Sequence, residues 1–302
     1  MFNYSLAPRA TPDPSTPSSS LLPVNRMGRE ITVDEVPHLA YSSIRNFSQC
    51  PLQWRLSRKF TPAFIPASLL FGGGIHAGIK VFYRARQAGR VAEFGELLDA
   101  YGRHWVEATA AGNPPVRFSS KLKDADVMLN LASRMLAEFL VVARPGEVIA
   151  VDEPFAVAIA PDLPSITGRI DLVEVREDAD KVRRLHLVDF KTVTRRSAKN
   201  SLDTDRLLLY ALAAWQAGWT DGSGLPLALR FDVFARQKWP EIVSVPVAAT
   251  RHDFGRLVEK IRQCGRSMEE GVSYPAPSWS CSLCGFGKQC RRWPRLPVAT
   301  AA

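Results

Sequence analysis

Two short stretches of the sequence decide the fold, ITGRIDL at residues 166–172 and LVDFKT at residues 187–192. Each has the pattern of an apolar β-strand interrupted by one aspartate, Asp171 in the first and Asp189 in the second, with a polar turn between the strands. Because side chains alternate along a strand, Asp189 and Lys191 share one face and the residue between them points the other way. The pattern predicts a hairpin whose second strand directs an acid and an ammonium into the same small volume.

A divalent cation is expected at this hairpin. If the strands pair, Asp171 lies beside Asp189, and neighbouring carboxylates on a half-buried sheet repel each other unless a cation sits between them. Mg²⁺ or Mn²⁺ takes hard oxygen ligands of this kind, together with phosphate oxygens. Lys191 would then orient or deprotonate an attacking water. An isolated Asp-x-Lys is usually a surface ion pair, so the prediction depends on the ordered set of both strands.

The rest of the chain alternates between helical and β-branched patterns. One helix is predicted from Ser42 or Ser43 through Leu56, bent at Pro51 and with Cys50 inside it. Further helices are predicted at 75–84, 91–110, 122–142, 203–218 and 251–270, and strands at 148–160, 165–175, 183–190, 228–236 and 241–247. This order predicts an α/β fold with helices on a mixed sheet.

Composition limits the possible organisation and partners. A chain of 302 residues favours one large domain, preceded by a disordered tail at 1–38 that is rich in Pro and Ser. The formal net charge of +9 favours a polyanionic partner without naming it. No apolar run reaches the roughly 18 residues of a membrane span, and no signal peptide is visible, so we expect a cytoplasmic protein that does not contact a membrane.

The cysteines form a second candidate site. Cys281, Cys284 and Cys290 supply three thiols within ten residues, and a soft-metal site needs a fourth from Cys50 or Cys264. Cys264 lies on an amphipathic helix, where a cysteine is usually a small buried apolar residue. The spacing alone leaves zinc and an iron-sulfur cluster equally open.

The two strands together resemble the PD-(D/E)xK nucleases. Their residue patterns are similar to those of the branch that contains RecB, AddB and the CRISPR-adaptation nucleases. This resemblance implies a restriction-endonuclease-like core over residues 39–296, with a helical lobe at about 75–142, a cluster-binding segment at 279–293 and a tail at 297–302. GGGIH at residues 72–76 occupies the place of a Gly-x-x-x-His pattern. The implied metal site consists of His76, Asp171, Asp189 and the backbone carbonyl of Phe190, with Asp171, Asp189 and Lys191 as catalytic residues.

The resemblance extends to two further features. The family has a Gln-x-x-x-Tyr helix, whose place Arg206 and Tyr210 take here, with arginine instead of glutamine. These two residues are expected to contact DNA, together with Arg195 and Arg196. The AddB-type arrangement implies a 4Fe-4S cluster held by one N-terminal and three C-terminal cysteines, here Cys50, Cys281, Cys284 and Cys290. Glu153 is a weaker candidate beside the metal.

The resemblance therefore implies a Mg²⁺- or Mn²⁺-dependent exonuclease that acts on single-stranded DNA, or on DNA with a single-stranded end, in repair or recombination. No P-loop is present, so unwinding would need a helicase partner. Two alternatives stay open: a CRISPR-adaptation nuclease that trims spacers with its own partner, and a catalytically silent iron-sulfur protein that binds DNA or serves as a scaffold.

Overall fold

A computed structural model describes residues 38–194, 202–219, 224–237 and 239–293. The helices are α1 (Tyr41–Gln49), α2 (Pro51–Ser57), α3 (Ala67–Gln87), α4 (Phe94–Ala108), α5 (Ala125–Val142), α6 (Asp205–Gln216), α7 (Arg251–Glu269) and α8 (Gly287–Cys290), with a 3₁₀ turn at Trp279–Leu283. The strands are β1 (His38–Ala40), β2 (Ile65–Pro66), β3 (Val116–Arg117), β4 (Glu147–Val157), β5 (Ser165–Glu177), β6 (Arg183–Val193), β7 (Leu227–Ala235) and β8 (Glu241–Val247).

Six strands form one mixed sheet in the order β1-β5-β6-β7-β8, and β4 also pairs with β5. β1 runs parallel to β5 and β6 runs parallel to β7, whereas the other pairings are antiparallel. β2 and β3 form a separate two-stranded sheet. The predicted α/β class with a mixed sheet is confirmed, and the β5–β6 hairpin lies at its centre.

Helices cover both faces of the sheet because the central strands are apolar on both sides. On one face, Leu172 and Val188 pack with residues of α3 and α5. On the other face, their neighbours Val173 and Leu187 pack with residues of α1, α6 and α7. Strands that are buried on both faces in this way have near-continuous apolar runs, which is the pattern that identified them in the sequence.

The single helix predicted from Ser42 or Ser43 to Leu56 is wrong in one respect, because it is two helices. Pro51 has no backbone N–H and disfavours helical geometry in the residue before it. Cys50 is accordingly extended, with φ −162° and ψ 104°, and lies between α1 and α2 instead of inside a helix. This break leaves its thiol at the start of α2, where it accepts a hydrogen bond from the Gln53 amide.

The helix predicted at 75–84 begins earlier than expected, at Ala67, and runs through the glycines at 72–74. Glycine is unfavourable inside an isolated helix, and here close packing overrides that preference. A Cβ on Gly74 would meet the Tyr101 ring at 2.6 Å, and one on Gly78 would meet the Leu97 carbonyl oxygen at 2.9 Å. The glycines therefore let α4 approach α3 closely.

The tail predicted at 1–38 lies almost wholly outside the described residues, which begin with β1 at His38. The short tail predicted at 297–302 lies outside them as well. Within the described part of the chain, no helix combines the length and the apolar character that crossing a membrane requires.

Candidate active site and cysteine-lined cavity

The β5–β6 hairpin brings the two predicted aspartates together. Its antiparallel register ends at the pair Leu172↔Val188, and Asp171 and Asp189 are the next residue of each strand. Beyond this pair the strands diverge, and the Asp171 carboxylate accepts a hydrogen bond from the backbone N–H of Phe190 at 3.0 Å. The predicted hairpin is confirmed, and the two carboxylates lie where its strands separate.

Asp189 is a buried charge surrounded by donors. Its carboxylate pairs with the Lys191 ammonium, and it also accepts from the Arg206 guanidinium at 3.2 Å and from the Tyr210 hydroxyl at 3.3 Å. Burial opposes ionisation, but the charges of Lys191 and Arg206 outweigh burial and hold the pKa of Asp189 below its ordinary value. Burial also lowers the pKa of Lys191, against the attraction of Asp189.

Asp171 and His76 complete this group. Burial and the neighbouring charge of Asp189 raise the pKa of Asp171 to about 6. The His76 ring stands edge-on to the Phe190 ring, with 5.9 Å between the centroids. Burial lowers the pKa of His76 to about 3, and its Nε2 atom is buried without a hydrogen-bond partner. His76 is therefore a neutral imidazole at pH 7, near the charge of Asp189.

Two residues of this site were not among the predicted ones. Lys80 places its Nζ atom 3.4 Å from Asp171 Oδ1 and 2.7 Å from Asp152 Oδ1. Asp152 lies on β4 between the pairs Val151↔Leu172 and Glu153↔Ile170, and therefore opposite Asp171. The sequence favours Glu153, one residue away on the same strand, and does not reveal that the backbone departs from strand geometry at Asp152, where φ is +60°. No sequence pattern identifies Lys80, because its contacts with Asp152 and Asp171 depend on how closely α3 packs on the sheet.

The four cysteines predicted to act together line one cavity. Cys50 comes from the break between α1 and α2. Cys281 lies in the 3₁₀ turn, Cys284 directly follows that turn, and Cys290 is the last residue of α8. Backbone N–H groups donate to their sulfurs, from Gln53 and Ala276 to Cys50 Sγ and from Ser278 to Cys281 Sγ, each at 3.4 Å. Burial and the adjacent thiols raise the pKa of Cys284 and of Cys290.

The fifth cysteine lies elsewhere. Cys264 is on α7, packs against the core under that helix, and its thiol is 3.3 Å from the Ser48 hydroxyl. It does not line the cavity that the other four share. This separation agrees with its expected role as a small packing residue.

The family model of the PD-(D/E)XK nuclease superfamily matches residues 38–291. The chain belongs to this superfamily. Among solved structures, a candidate exonuclease from Eubacterium rectale is 14% identical, with a TM-score of 0.48 over 91% of this chain and 97% of that one. The protein SSO0001 is 13% identical, with a TM-score of 0.30 over 83% and 92%. At these scores the assignment depends on the family match alone. No curated protein matches the chain.

The site of this superfamily member holds side chains of the types that divalent cations take as ligands. Two carboxylates share the site, one with a raised pKa, and a neutral buried imidazole presents an unpartnered nitrogen. In the described residues, no three His, Cys, Asp or Glu side chains are close enough together to enclose one metal ion. The cations Lys191, Arg206 and Lys80 instead pair with the two carboxylates.

The predicted DNA contacts of the nuclease need one correction. Tyr210 has no exposed surface, and its hydroxyl is bonded to Asp189, so it supports the site from the core and does not touch DNA. Its helix α6 packs under the sheet, which explains this burial. Arg206 keeps 30% of its side chain exposed while it pairs with Asp189. Arg195 and Arg196 lie outside the described residues.

Proposed function

We propose that this nuclease is a Mg²⁺- or Mn²⁺-dependent deoxyribonuclease that hydrolyses phosphodiester bonds from single-stranded DNA ends. The observation that carries the proposal is the meeting of two carboxylates, Asp171 and Asp189, with the Lys191 ammonium where β5 and β6 separate. Buried charges are paired or coordinate metal ions, and such groups are concentrated at functional sites. Phosphodiester hydrolysis uses all three side chains.

The proposed metal ligands are Asp171, Asp189, His76 Nε2 and the carbonyl oxygen of Phe190. A divalent cation bound there supplies Lewis-acid activation of the phosphate and of a water. The Phe190 N–H holds one oxygen of Asp171 at 3.0 Å and fixes the carboxylate against the neighbouring strand. The neutral form of His76 keeps the lone pair of one ring nitrogen free for coordination.

Lys191 acts on the water and on the phosphate. Its ammonium contacts Asp189 and keeps 22% of its side chain exposed, so it lies at the rim of the buried site. From there it can orient the attacking water and offset negative charge that develops on the phosphate. The Tyr210 hydroxyl donates a hydrogen bond to Asp189 and keeps that carboxylate in place. The Arg206 guanidinium, which pairs with Asp189, binds a phosphate next to the one that reacts.

The choice of single-stranded ends and of a role in repair or recombination rests on the likeness of the two strand motifs to the RecB and AddB branch. The net charge of +9 is in keeping with a nucleic-acid partner. Trp279, on the cysteine-bearing segment, has 82% of its surface exposed and offers a flat side chain on which an unpaired base can stack.

We also propose a 4Fe-4S cluster at Cys50, Cys281, Cys284 and Cys290. Support comes from the shared cavity and from the N–H groups that donate to the sulfurs, a feature that stabilises cluster thiolates. A cluster binds each thiolate to a different iron and so holds the sulfurs further apart than one zinc ion does.

Equal amounts of iron and acid-labile sulfide, with a visible absorbance that dithionite bleaches, are expected from protein purified without oxygen. Stoichiometric zinc in colourless protein would contradict the cluster.

The nuclease is tested with Mn²⁺ and single-stranded DNA labelled at the 5′ end in one sample and at the 3′ end in another. Stepwise release of nucleotides from one end is expected from the wild-type protein, and loss of cleavage from Asp189→Ala and Lys191→Ala. Lys181→Ala is a suitable control, because Lys181 is exposed in the turn at the far end of the same hairpin. Cleavage that is unchanged in both site variants would refute the proposal.

A further inference from the structure

The Lys80 ammonium contacts two carboxylates, those of Asp152 and Asp171, at the edge of the candidate metal site. Lys80 follows His76 by one helical turn on α3, so both side chains leave the same face of the helix. Its Nζ atom is 2.7 Å from Asp152 and 3.4 Å from Asp171. Asp171 is a proposed metal ligand, and Asp152 is not.

We propose that Lys80 competes with the divalent cation for Asp171, and that Asp152 is the positioning residue that draws Lys80 away. This inference rests on the proposed function, because it concerns the same metal site. An ammonium within 4 Å of a carboxylate stabilises its charge and must give way when a metal ion takes the same oxygen. With Asp152 present, Lys80 keeps a partner when it leaves Asp171, so its release costs less.

The surroundings of Asp152 suit this role. Arg169 Nε is 3.0 Å from one carboxylate oxygen of Asp152, and Arg84 is 3.5 Å from the other. These two arginines hold the Asp152 carboxylate in place whether or not Lys80 is bound to it. The Asp152 side chain is 19% exposed and that of Lys80 is 20% exposed, so both side chains retain contact with solvent.

The backbone at Asp152 gives an independent indication. Asp152 has a φ of +60° inside β4, although its neighbours Val151 and Glu153 keep the strand register with β5. A non-glycine residue in this region is held there by its surroundings, and such strain is concentrated at functional sites. Here the strained residue stands opposite Asp171 and takes the shared ammonium.

The test is a Mn²⁺ titration of the full-length protein without DNA, followed by calorimetry or by the electron paramagnetic resonance signal of free Mn²⁺. Lys80→Met should lower the Mn²⁺ Kd by about tenfold, the effect of one charge at this distance on a carboxylate. Asp152→Asn should raise it by a similar factor, because Lys80 then pairs with Asp171 alone. Asparagine tolerates positive φ, so the backbone at 152 is preserved.

The double variant distinguishes competition from a structural role. Without Lys80, Asp152 has nothing to restrain, so Lys80→Met with Asp152→Asn should match Lys80→Met alone. Lys80→Gln serves as the replacement if the methionine variant does not fold. Single variants that shift the Kd in the same direction, or leave it unchanged, would overturn the inference. A wild-type protein that binds no Mn²⁺ would contradict the proposed function itself, and the inference with it.

Discussion

The candidate active site and the cysteine cavity differ in what holds them together. The candidate active site collects side chains from α3, β5, β6 and α6, which the central sheet and its two apolar layers already hold together. The cysteine cavity joins the two ends of the described chain. Few backbone hydrogen bonds tie those ends, among them Leu52 N–H to the Tyr274 carbonyl and Ala63 N–H to the Gly285 carbonyl, both within 3.0 Å.

This difference predicts different consequences of mutation. A side chain removed from the sheet-held site leaves its neighbours in place, so the chemistry should fail before the fold does. A thiol removed from the cavity takes away a ligand that links distant segments, so the fold should fail before the chemistry does.

The largest effect is expected from Asp171→Asn. The amide oxygen still accepts the Phe190 N–H bond, but the variant loses the charge that is proposed to bind the cation, so cleavage should fall by about a thousandfold. The Tm should change little, because burial and Asp189 already disfavour the charged form of this carboxyl. Single-turnover cleavage rates and thermal unfolding of the same preparation check both parts. A large fall in Tm would contradict the expectation that this site loses its chemistry before the fold is destabilised.

The second effect concerns stability. Cys50→Ser should remove the one N-terminal ligand of the proposed cluster and lower the free energy of unfolding by about 3 kcal/mol, since the long loop between Cys50 and the C-terminal cysteines is then opened. Cys264→Ser is the matched control, because Cys264 lies outside the cavity. Chemical unfolding of protein handled without oxygen measures both variants. Equal stability of the two would show that the cavity does not link the chain ends.

A third prediction concerns the packing of α3, the helix that carries His76, against α4. A Cβ on Gly78 would meet the Leu97 carbonyl oxygen at 2.9 Å, so Gly78→Ala should cost about 2 kcal/mol of stability. Gly102→Ala on α4 is the control, because nothing lies within 4 Å of its added Cβ. That variant should be more stable by up to about 1 kcal/mol, from helix propensity alone. Thermal unfolding that ranks the two variants the other way would contradict this packing.

The smallest effect is expected at Arg206. Arg206→Gln introduces the glutamine of the Gln-x-x-x-Tyr pattern described above and removes one guanidinium from the rim of the site. DNA affinity should fall by a few-fold, and the salt dependence of binding should weaken by about one unit of slope. Lys181→Gln, in the distant hairpin turn, should change neither quantity. Fluorescence anisotropy over a salt series, with Ca²⁺ in place of Mn²⁺, makes the comparison.

The meeting of Asp171, Asp189 and Lys191 could be predicted because it follows from local rules, the two-residue period of strands and the closure of a hairpin. The early start of α3 could not, because three glycines lower helix propensity and only the packing of α4 explains them. The break at Cys50 could be anticipated from Pro51 only as a bend.

Lys80 and Asp152 escaped prediction for a related reason. Their contact joins residues that lie far apart in the sequence, and it depends on a backbone conformation at Asp152 that no pattern announces. The grouping of the cysteines came from resemblance instead of geometry, and the shared cavity agrees with it. Tyr210 was placed on the correct helix but assigned to the wrong environment, because a helical period does not say how deeply a face is buried.

One divalent cation is proposed to bind between β5, β6 and α3. The most direct test is the anomalous difference map of a crystal soaked in Mn²⁺, recorded on both sides of the manganese absorption edge. We expect a peak that appears only above the edge and contacts Asp171, Asp189 and His76 Nε2. A manganese peak at another place, or none in crystals that still cleave DNA when dissolved, would contradict the account.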